Sequence, residues 1–285
     1  MDLLIKLLKN AINALLIVAV LSTSAFAKQN KKSTIRPQNG ILATNYIVKD
    51  LDTGEVFKEK NSQEIRSIAS ITKLMTVVVV LNAHQKLDEV LTINKTKGIH
   101  SRLPNGTKIT RSDLLLLSLM SSDNVAAKVL AQNYPGGEES ALAAMNATAD
   151  SLGMHNTRFV DPTGLFEENV STVIDLAKLI DYAYAFDIIR NFSTKTSKRI
   201  QVPGRKKSYF VDFRTTNSLV VKDTSIGLSK TGWIQKSGGC LVMIIKDRGR
   251  RLAVILLNSR NTHTRIRDGA LLTEYDNVRN NRNFR

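Results

Sequence analysis

The chain has 285 residues, of which 42% are hydrophobic and 23% charged, with 15 glycines and 5 prolines. These values suit a globular protein and exclude a disordered, collagen-like or polytopic membrane protein. Lys and Arg number 41 against 25 Asp and Glu, so the formal net charge of +16 predicts attraction to a polyanion. Nucleic acid is not expected as the partner, because the sequence has neither zinc-finger spacing nor an RNA-recognition pattern of aromatic residues. The remaining candidates for the polyanion are an anionic membrane surface and an anionic cell-wall polymer.

The first 27 residues have the three regions of a secretory signal peptide. Two lysines precede the apolar run AINALLIVAVL at 11–21, and Ala25-Phe26-Ala27 forms a small-x-small cleavage site. The apolar run is shorter than the about 20 residues that a membrane-spanning helix needs. We therefore expect cleavage before Lys28 and a mature protein in the periplasm, with at most loose membrane association. An uncleaved N-terminal anchor is the alternative.

After a polar, basic tail at 28–38, the first predicted element is a β-hairpin around Gly54, which supplies the positive φ of the turn. Residues 69–83 are apolar nearly all round, and this predicts a buried helix. Four more helices follow. Their starts are marked by capping or turn residues, namely Thr110 with Ser112, the segment Ser121–Asn124, Pro135-Gly136-Gly137, and Ser171 with Thr172.

Strand patterns replace helices in the last third of the chain. The strand-like segments are IQVPGRKKSYFVDF, SIGLSKTGWI, CLVMIIKD and RLAVILLN, with a hairpin turn between the last two and a closing helix at 264–278. The simplest assembly is an α/β (α+β) fold: the N-terminal hairpin and the late strands form one antiparallel sheet, and helices at about 75–190 form a second lobe. We expect this domain to span 39–275, with the functional site in the cleft between sheet and lobe, followed by a basic C-terminal tail at 276–285.

The chain has one cysteine and four scattered histidines. A single cysteine cannot form an internal disulfide, and Cys240 lies in an apolar strand-like segment, so we expect a buried thiol. No metal-ligand spacing such as HExxH occurs. Neither a metal nor another cofactor is expected.

Ser70 and Lys73 form the only S-x-x-K sequence in the chain. Residues i and i+3 share a face of a helix, so the serine hydroxyl would lie beside the lysine amine. A lysine in a desolvated, cation-rich site can be neutral, and it can then act as the base that makes serine a nucleophile. The pattern is weak by itself, because a chain of this length is expected to contain about one such match by chance.

Two further segments could belong to the same site. Ser122-Asp123-Asn124 lies at a break between helices, where Ser122 could relay a proton and Asn124 could bind a substrate amide; a plain turn is the alternative. Lys230-Thr231-Gly232 lies in a strand pattern, where the lysine could bind a substrate carboxylate. Gly232 would let a substrate backbone lie against the strand edge. An exposed lysine on an edge strand is the alternative for Lys230.

The three motifs follow one another as nucleophile helix, helical loop and late strand, an order known from β-lactamases and penicillin-binding proteins. The chain resembles the low-molecular-mass (class C) penicillin-binding proteins, the D-alanyl-D-alanine peptidases, over about residues 40–270. It is most similar to the endopeptidase type represented by penicillin-binding protein 7. The segments that carry the resemblance are IASITKLMT, LLLLSLMSSDNVAAKVLA, YPGG, SLGMHNTRFVDPTGL, NVST, SKTGW and GGCLVM.

The resemblance implies a serine β-lactamase/DD-peptidase-like fold, with a five-stranded antiparallel sheet and an all-helical lobe. It implies an enzyme acting on peptidoglycan stem peptides, without a cofactor, and inhibited covalently by β-lactam antibiotics. The implied roles are Ser70 as acylated nucleophile, Lys73 as base, Ser122 and Asn124 as cleft residues, Lys230 and Thr231 as carboxylate binders, and the backbone N–H groups of Ser70 and Trp233 as oxyanion donors. Relatives often have Thr where this chain has Ile234, so a hydroxyl contact is not expected there.

Several functions are compatible with these motifs. Endopeptidase cleavage of cross-links is expected first, and carboxypeptidase trimming of a pentapeptide is the alternative. A serine β-lactamase would need a carboxylate to activate water, and the nearest candidates, Glu167 and Glu168, lack the E-x-x-L-N pattern of class A enzymes. A penicillin-binding sensor is disfavoured because it would need a transmembrane signalling segment. A basic wall-binding protein with an inactive site is disfavoured because all three motifs are intact.

Overall fold

A computed structural model describes residues 40–94, 98–204 and 206–282, and only the main chain of residues 274–282. The predicted signal peptide at 1–27 and the predicted tail at 28–38 lie outside the described residues. In the described part of the chain, no helix combines the length and the apolar character that crossing a membrane requires.

Strands and helices alternate along the chain in unequal blocks. The strands are β1 (Asn45–Asp50), β2 (Val56–Lys60), β3 (Arg66–Ser67), β4 (Val90–Thr92), β5 (Lys108–Thr110), β6 (Val170–Ser171), β7 (Ser197–Val202), β8 (Tyr209–Arg214), β9 (Ile226–Ile234), β10 (Gly238–Asp247) and β11 (Arg250–Ser259). The helices are α1 (Thr72–Asn82), α2 (Arg111–Met120), α3 (Asn124–Gln132), α4 (Gly137–Ser151), α5 (Val173–Tyr184), α6 (Asp187–Ser193), α7 (Leu219–Lys222) and α8 (Thr262–Arg282). A 3-10 turn at Ala69–Ile71 leads directly into α1.

A five-stranded antiparallel sheet in the order β2-β1-β11-β10-β9 confirms the predicted assembly. Successive side chains of a strand point to opposite faces. Val242 and Ile255 therefore lie in the core shared with the helices, whereas Met243 and Val254 pack with Leu272 of α8 on the other face. Because both faces are covered, β10 and β11 are buried over most of their length, as their nearly continuous apolar sequences require.

The helical lobe begins with α1, which is buried on nearly every side as its sequence predicts. Side-chain caps start the next helices: Thr110 accepts from the amide of Asp113, and Thr172 accepts from the amide of Asp175, each at 3.1 Å. The lobe also carries the short hairpin β4–β5, which the sequence patterns did not indicate. The strands β7 and β8 form a separate two-stranded hairpin, so the prediction that the late strands share one sheet is wrong for the segment IQVPGRKKSYFVDF.

The last helix is longer than the pattern at 264–278 predicts. It runs from Thr262 to Arg282, so most of the predicted tail at 276–285 is helical main chain. On the opposite side of the sheet, the 3-10 turn that holds Ser70 packs on the edge strand β9. Hydrogen bonds from Lys73 to Ser70 and Asn124, and from Lys230 to Ser122, bring the three predicted motifs together at this place.

We expect Val78→Ala to lower the free energy of unfolding by about 2 kcal/mol. The Val78 side chain of α1 is fully buried, and the packing contacts that its methyl groups lose are not replaced by contacts with water. Val221→Ala is the matched control: the same change in α7, at a side chain 63% exposed, should cost less than about 0.5 kcal/mol. Urea unfolding of both variants checks this. Equal losses would contradict the assignment of α1 to the core.

Candidate active site

The backbone before Ser70 is held in an unusual conformation. Ala69 is buried and has a φ of 46°, in the left-handed region that non-glycine residues avoid. Two glycines press on this turn. A Cβ added at Gly164 would lie 2.0 Å from the carbonyl oxygen of Ala69, and one added at Gly232 would lie 2.9 Å from that of Ile68 and 3.0 Å from the amide nitrogen of Ser70. Only glycine fits at either place.

This packing adds a structural reason for a glycine at position 232. The sequence suggested that the glycine leaves room for a substrate backbone at the strand edge. In the structure, the space beside its Cα is occupied by the protein's own turn at 68–70. The glycine therefore brings β9 close to Ser70.

Lys73 lies one helical turn after Ser70 and is completely buried. Its Nζ donates to Ser70 Oγ at 2.8 Å, to Asn124 Oδ1 at 2.7 Å and to the carbonyl oxygen of Thr163 at 2.5 Å. An ammonium has three N–H donors, so each has a partner. The contacts come from three separate parts of the chain, and they fix the amine against the serine hydroxyl.

Burial changes the protonation of this lysine. Desolvation lowers the pKa of Lys73 to about 7, although the charges of Asp161 and Asp123 act in the opposite direction. The carboxylates do not touch Nζ directly. Asp123 is the N-cap of α3, accepting from the amide of Ala126 at 2.9 Å, and its other oxygen accepts from Ser101 Oγ at 2.6 Å. Near neutral pH, the charged and neutral forms of Lys73 are therefore both well populated.

A second buried lysine pairs with the second motif. Lys230 Nζ donates to Ser122 Oγ at 2.8 Å and to the carbonyl oxygen of Thr231 at 2.7 Å. Ser122 has a φ of 58°, so the turn between α2 and α3 is also held in the left-handed region. Burial lowers the pKa of Lys230 well below its usual value, and the nearby charges of Lys73 and Arg265 lower it further.

Two residues that the sequence analysis did not single out position the strand that carries Lys230. Thr216 Oγ1 lies 2.5 Å from Thr231 Oγ1, so the Thr231 hydroxyl already has a partner. Arg265 of α8 donates from Nη1 to the carbonyl oxygen of Gly232 at 3.0 Å. Neither contact has a local sequence signal, because each joins segments that are distant along the chain. Trp233 follows on the edge strand with its indole 53% exposed.

Asp161 organises the loop that supplies the third partner of Lys73. Its carboxylate accepts from the amides of Thr163 at 2.6 Å, Gly164 at 2.9 Å and Phe166 at 3.0 Å. The residues Asp161–Gly164 include a proline and a glycine, which favour a turn. In the structure this turn places the carbonyl oxygen of Thr163 against Lys73 Nζ and Gly164 against the backbone at Ser70.

Other candidate nucleophiles and ligands lie apart from this cluster. Cys240 is buried, as predicted, and burial raises the pKa of its thiol to about 11, so the thiolate is strongly disfavoured. Ser237 lies in the turn between β9 and β10, where its hydroxyl bonds local backbone. Within the described ranges, no three or more His, Cys, Asp or Glu side chains are grouped so that they could hold a metal ion.

Comparison with known proteins shows the family to which the chain belongs. The sequence profile of the D-alanyl-D-alanine carboxypeptidase family matches residues 30–261. The chain belongs to this family. A D-alanyl-D-alanine endopeptidase of Pseudomonas aeruginosa is 39% identical over 260 residues, which cover 89% of this chain and 83% of the relative.

Two solved structures share the fold. The DD-transpeptidase of Streptomyces K15 has a TM-score of 0.77 at 26% identity, over 83% of this chain and 97% of that one. Penicillin-binding protein D2 of Listeria monocytogenes, solved in its cefotaxime-bound form, has a TM-score of 0.72 at 25% identity, over the same shares of the two chains. The family, the fold and the class of serine D-alanyl-D-alanine peptidase expected from the motifs are therefore confirmed.

We expect Gly232→Ala to lower the kcat of this peptidase about 10²-fold, because the new methyl group pushes β9 away from the amide of Ser70. Gly40→Ala is the control. Nothing lies within 4 Å of a Cβ added at Gly40, and its φ is not left-handed, so kcat should stay within about twofold. Steady-state peptide hydrolysis measures both. Equal activity of the two variants would show that the close approach at Gly232 does not matter.

Proposed function

We propose that this peptidase is an endopeptidase that cuts D-alanyl cross-links between peptidoglycan stem peptides through a Ser70 acyl-enzyme. The observation that carries the proposal is the buried pair of Ser70 Oγ and Lys73 Nζ, 2.8 Å apart, with Lys230 and Ser122 paired beside it. A nucleophile, a base, a second hydroxyl and a second amine that can bind a carboxylate are what acyl transfer from a carboxylate-bearing peptide needs. The 39% identity to a protein named as an endopeptidase supports the choice of reaction.

The first step is attack on the D-alanyl carbonyl. A neutral Lys73 accepts the proton of Ser70 Oγ through its lone pair, and the bond from Oγ to the carbonyl carbon forms. The backbone N–H groups of Ser70 and Trp233 are assigned to the developing oxyanion. One such donor is worth about 3 kcal/mol of the barrier. Lys73 can serve as the base because desolvation lowers its pKa to about 7.

The second step is departure of the amine. The bond from the carbonyl carbon to nitrogen breaks, and the amine takes the proton that Lys73 received from Ser70, by way of the Ser122 hydroxyl. Lys230 and Thr231 bind the carboxylate next to the scissile bond, and Asn124 binds a substrate amide. Water then hydrolyses the ester and restores Ser70. The same steps release free D-alanine from a pentapeptide, so carboxypeptidase activity is the second candidate.

The surroundings of Ser70 support slow hydrolysis of a β-lactam adduct. Glu167 and Glu168 are both exposed, and Glu167 faces Lys236 at 3.8 Å. Asp161 and Asp123 are occupied by backbone amides. None of these four carboxylates is placed to activate the deacylating water, and a β-lactam that opens on Ser70 keeps its leaving group tethered in the path of that water. We assign the protein to the periplasm, where its basic surface would favour retention on the anionic wall.

Incubation with penicillin should add the mass of one drug molecule to the intact protein, at the peptide that contains Ser70, and Ser70→Ala should show no adduct. In parallel, purified cross-linked dimers and pentapeptide monomers should be digested side by side. We expect the dimers to be cleaved faster. Intact-mass spectrometry follows the adduct, and liquid chromatography follows the peptides.

The other outcomes separate the alternatives. Faster trimming of pentapeptides would make the protein a carboxypeptidase. Rapid turnover of penicillin without a trapped adduct would favour a β-lactamase. Absence of both an adduct and any cleavage would indicate a wall-binding protein with a dead site, and the proposal would fail.

A further inference from the structure

A groove of about 670 Å³ opens beside Ser122 and Asn124. One wall is the segment 100–102, which precedes β5. The other wall is the end of strand β8, where Phe213 and Arg214 face the groove. The volume lies within the range of sites that hold drug-sized ligands, and it is far more than a single alanine needs.

The position of Ser122 shows which part of a substrate would enter this groove. The Ser122 hydroxyl is held by Lys230 Nζ at 2.8 Å, and both residues act on the departing side in the mechanism above. Ser122 delivers the proton to the leaving amine, and Lys230 binds the carboxylate next to it. A groove that begins at Ser122 therefore continues on the leaving-amine side of the scissile bond.

Two arginines line the groove, Arg102 and Arg214, and within the described ranges neither forms a salt bridge with a carboxylate. Arg102 Nη1 donates to the backbone carbonyl of Asp212, and its guanidinium lies 5.5 Å from the centre of the Phe213 ring, so the side chain is held in place. Among the described residues, no carboxylate forms an ion pair with Arg214, which is exposed. Both guanidinium groups are therefore available to a ligand.

The one carboxylate on this part of β8 is already neutralised from outside the groove. Asp212 accepts from Arg199 Nε at 2.7 Å and from Nη2 at 3.1 Å. This hydrogen bond, with the charges of Arg214 and Arg102, holds the pKa of Asp212 below its usual value. Asp123, at the inner end, is occupied by Ser101 and Ala126. With Asp212 paired to Arg199, the outer part of the groove presents the two guanidinium groups of Arg102 and Arg214, and Asp123 lies at the inner end.

We propose that this groove binds the departing peptide chain of a cross-link, and that Arg214 and Arg102 bind carboxylates on that chain. The inference rests on the proposed function and deepens it. A carboxypeptidase releases one amino acid, which Lys230 and Thr231 can hold alone. An endopeptidase releases a whole acidic stem peptide, and a groove on the leaving side with two guanidinium groups gives that peptide a binding place.

The test uses two cross-linked peptide dimers. In one, the departing chain has free carboxylates; in the other, they are carboxamides, while the carboxylate next to the scissile bond stays free in both. For the wild-type protein we expect kcat/KM to be about tenfold higher for the acid form, the size of a charge-assisted hydrogen bond. Arg214→Gln should reduce this acid-to-amide ratio to about one. Arg214→Lys should retain part of it, because the charge remains without the planar fork.

Arg248→Gln is the matched control, because Arg248 is an exposed arginine in the turn between β10 and β11 and does not line the groove. It should keep the wild-type ratio. A wild-type ratio of one, or an unchanged ratio in Arg214→Gln, would overturn the groove assignment while the endopeptidase proposal stands on dimer cleavage. If the wild type does not cleave dimers at all, both proposals fail. The wild-type ratio decides the matter even if the Arg214 variants do not fold.

Discussion

Two lysine side chains share one desolvated site, and the chemistry of the cleft depends on this shared burial. Lys73 and Lys230 are 0% and 1% exposed, and each lies 2.8 Å from a serine hydroxyl. Burying a charge is costly unless partners compensate for the lost water. Here the partners are hydroxyl, amide and carbonyl oxygens, with Asp161 and Asp123 further away. These dipoles hold the amines in place without stabilising two full charges, so a neutral lysine becomes accessible near pH 7.

The scaffold around the lysines is strained at the two places where a serine must be presented. Ala69, next to Ser70, and Ser122 both have left-handed backbone conformations, each of which costs about 1–3 kcal/mol for a non-glycine residue. The surrounding core enforces them. Gly164 and Gly232 close on the first turn, and the start of α3 fixes the second. Rigid backbone on both sides of the cleft keeps the distances between hydroxyls and amines short.

Much of this arrangement was predictable from the sequence, because the motifs have local signatures. The S-x-x-K spacing predicted that Ser70 and Lys73 share a face, and the apolar strand patterns predicted the sheet that carries Lys230. The remaining contacts were not predictable from local patterns. Thr163 meets Lys73 from 90 positions away in the chain, and Gly232 is required by a turn on a different element. Such contacts depend on how helices and strands pack against each other, and the spacing of residues along the chain does not predict this packing.

The central claim is that burial leaves Lys73 able to lose its proton near neutral pH. NMR titration of the protein labelled with 13C at lysine Cε measures this directly, with the Lys73 resonance assigned by its loss in Lys73→Arg. We predict a midpoint at about pH 7 for that resonance, well below the usual lysine value of 10.5. A Lys73 midpoint close to 10.5 would show that the amine stays charged under working conditions, and its role as the base for Ser70 would be contradicted.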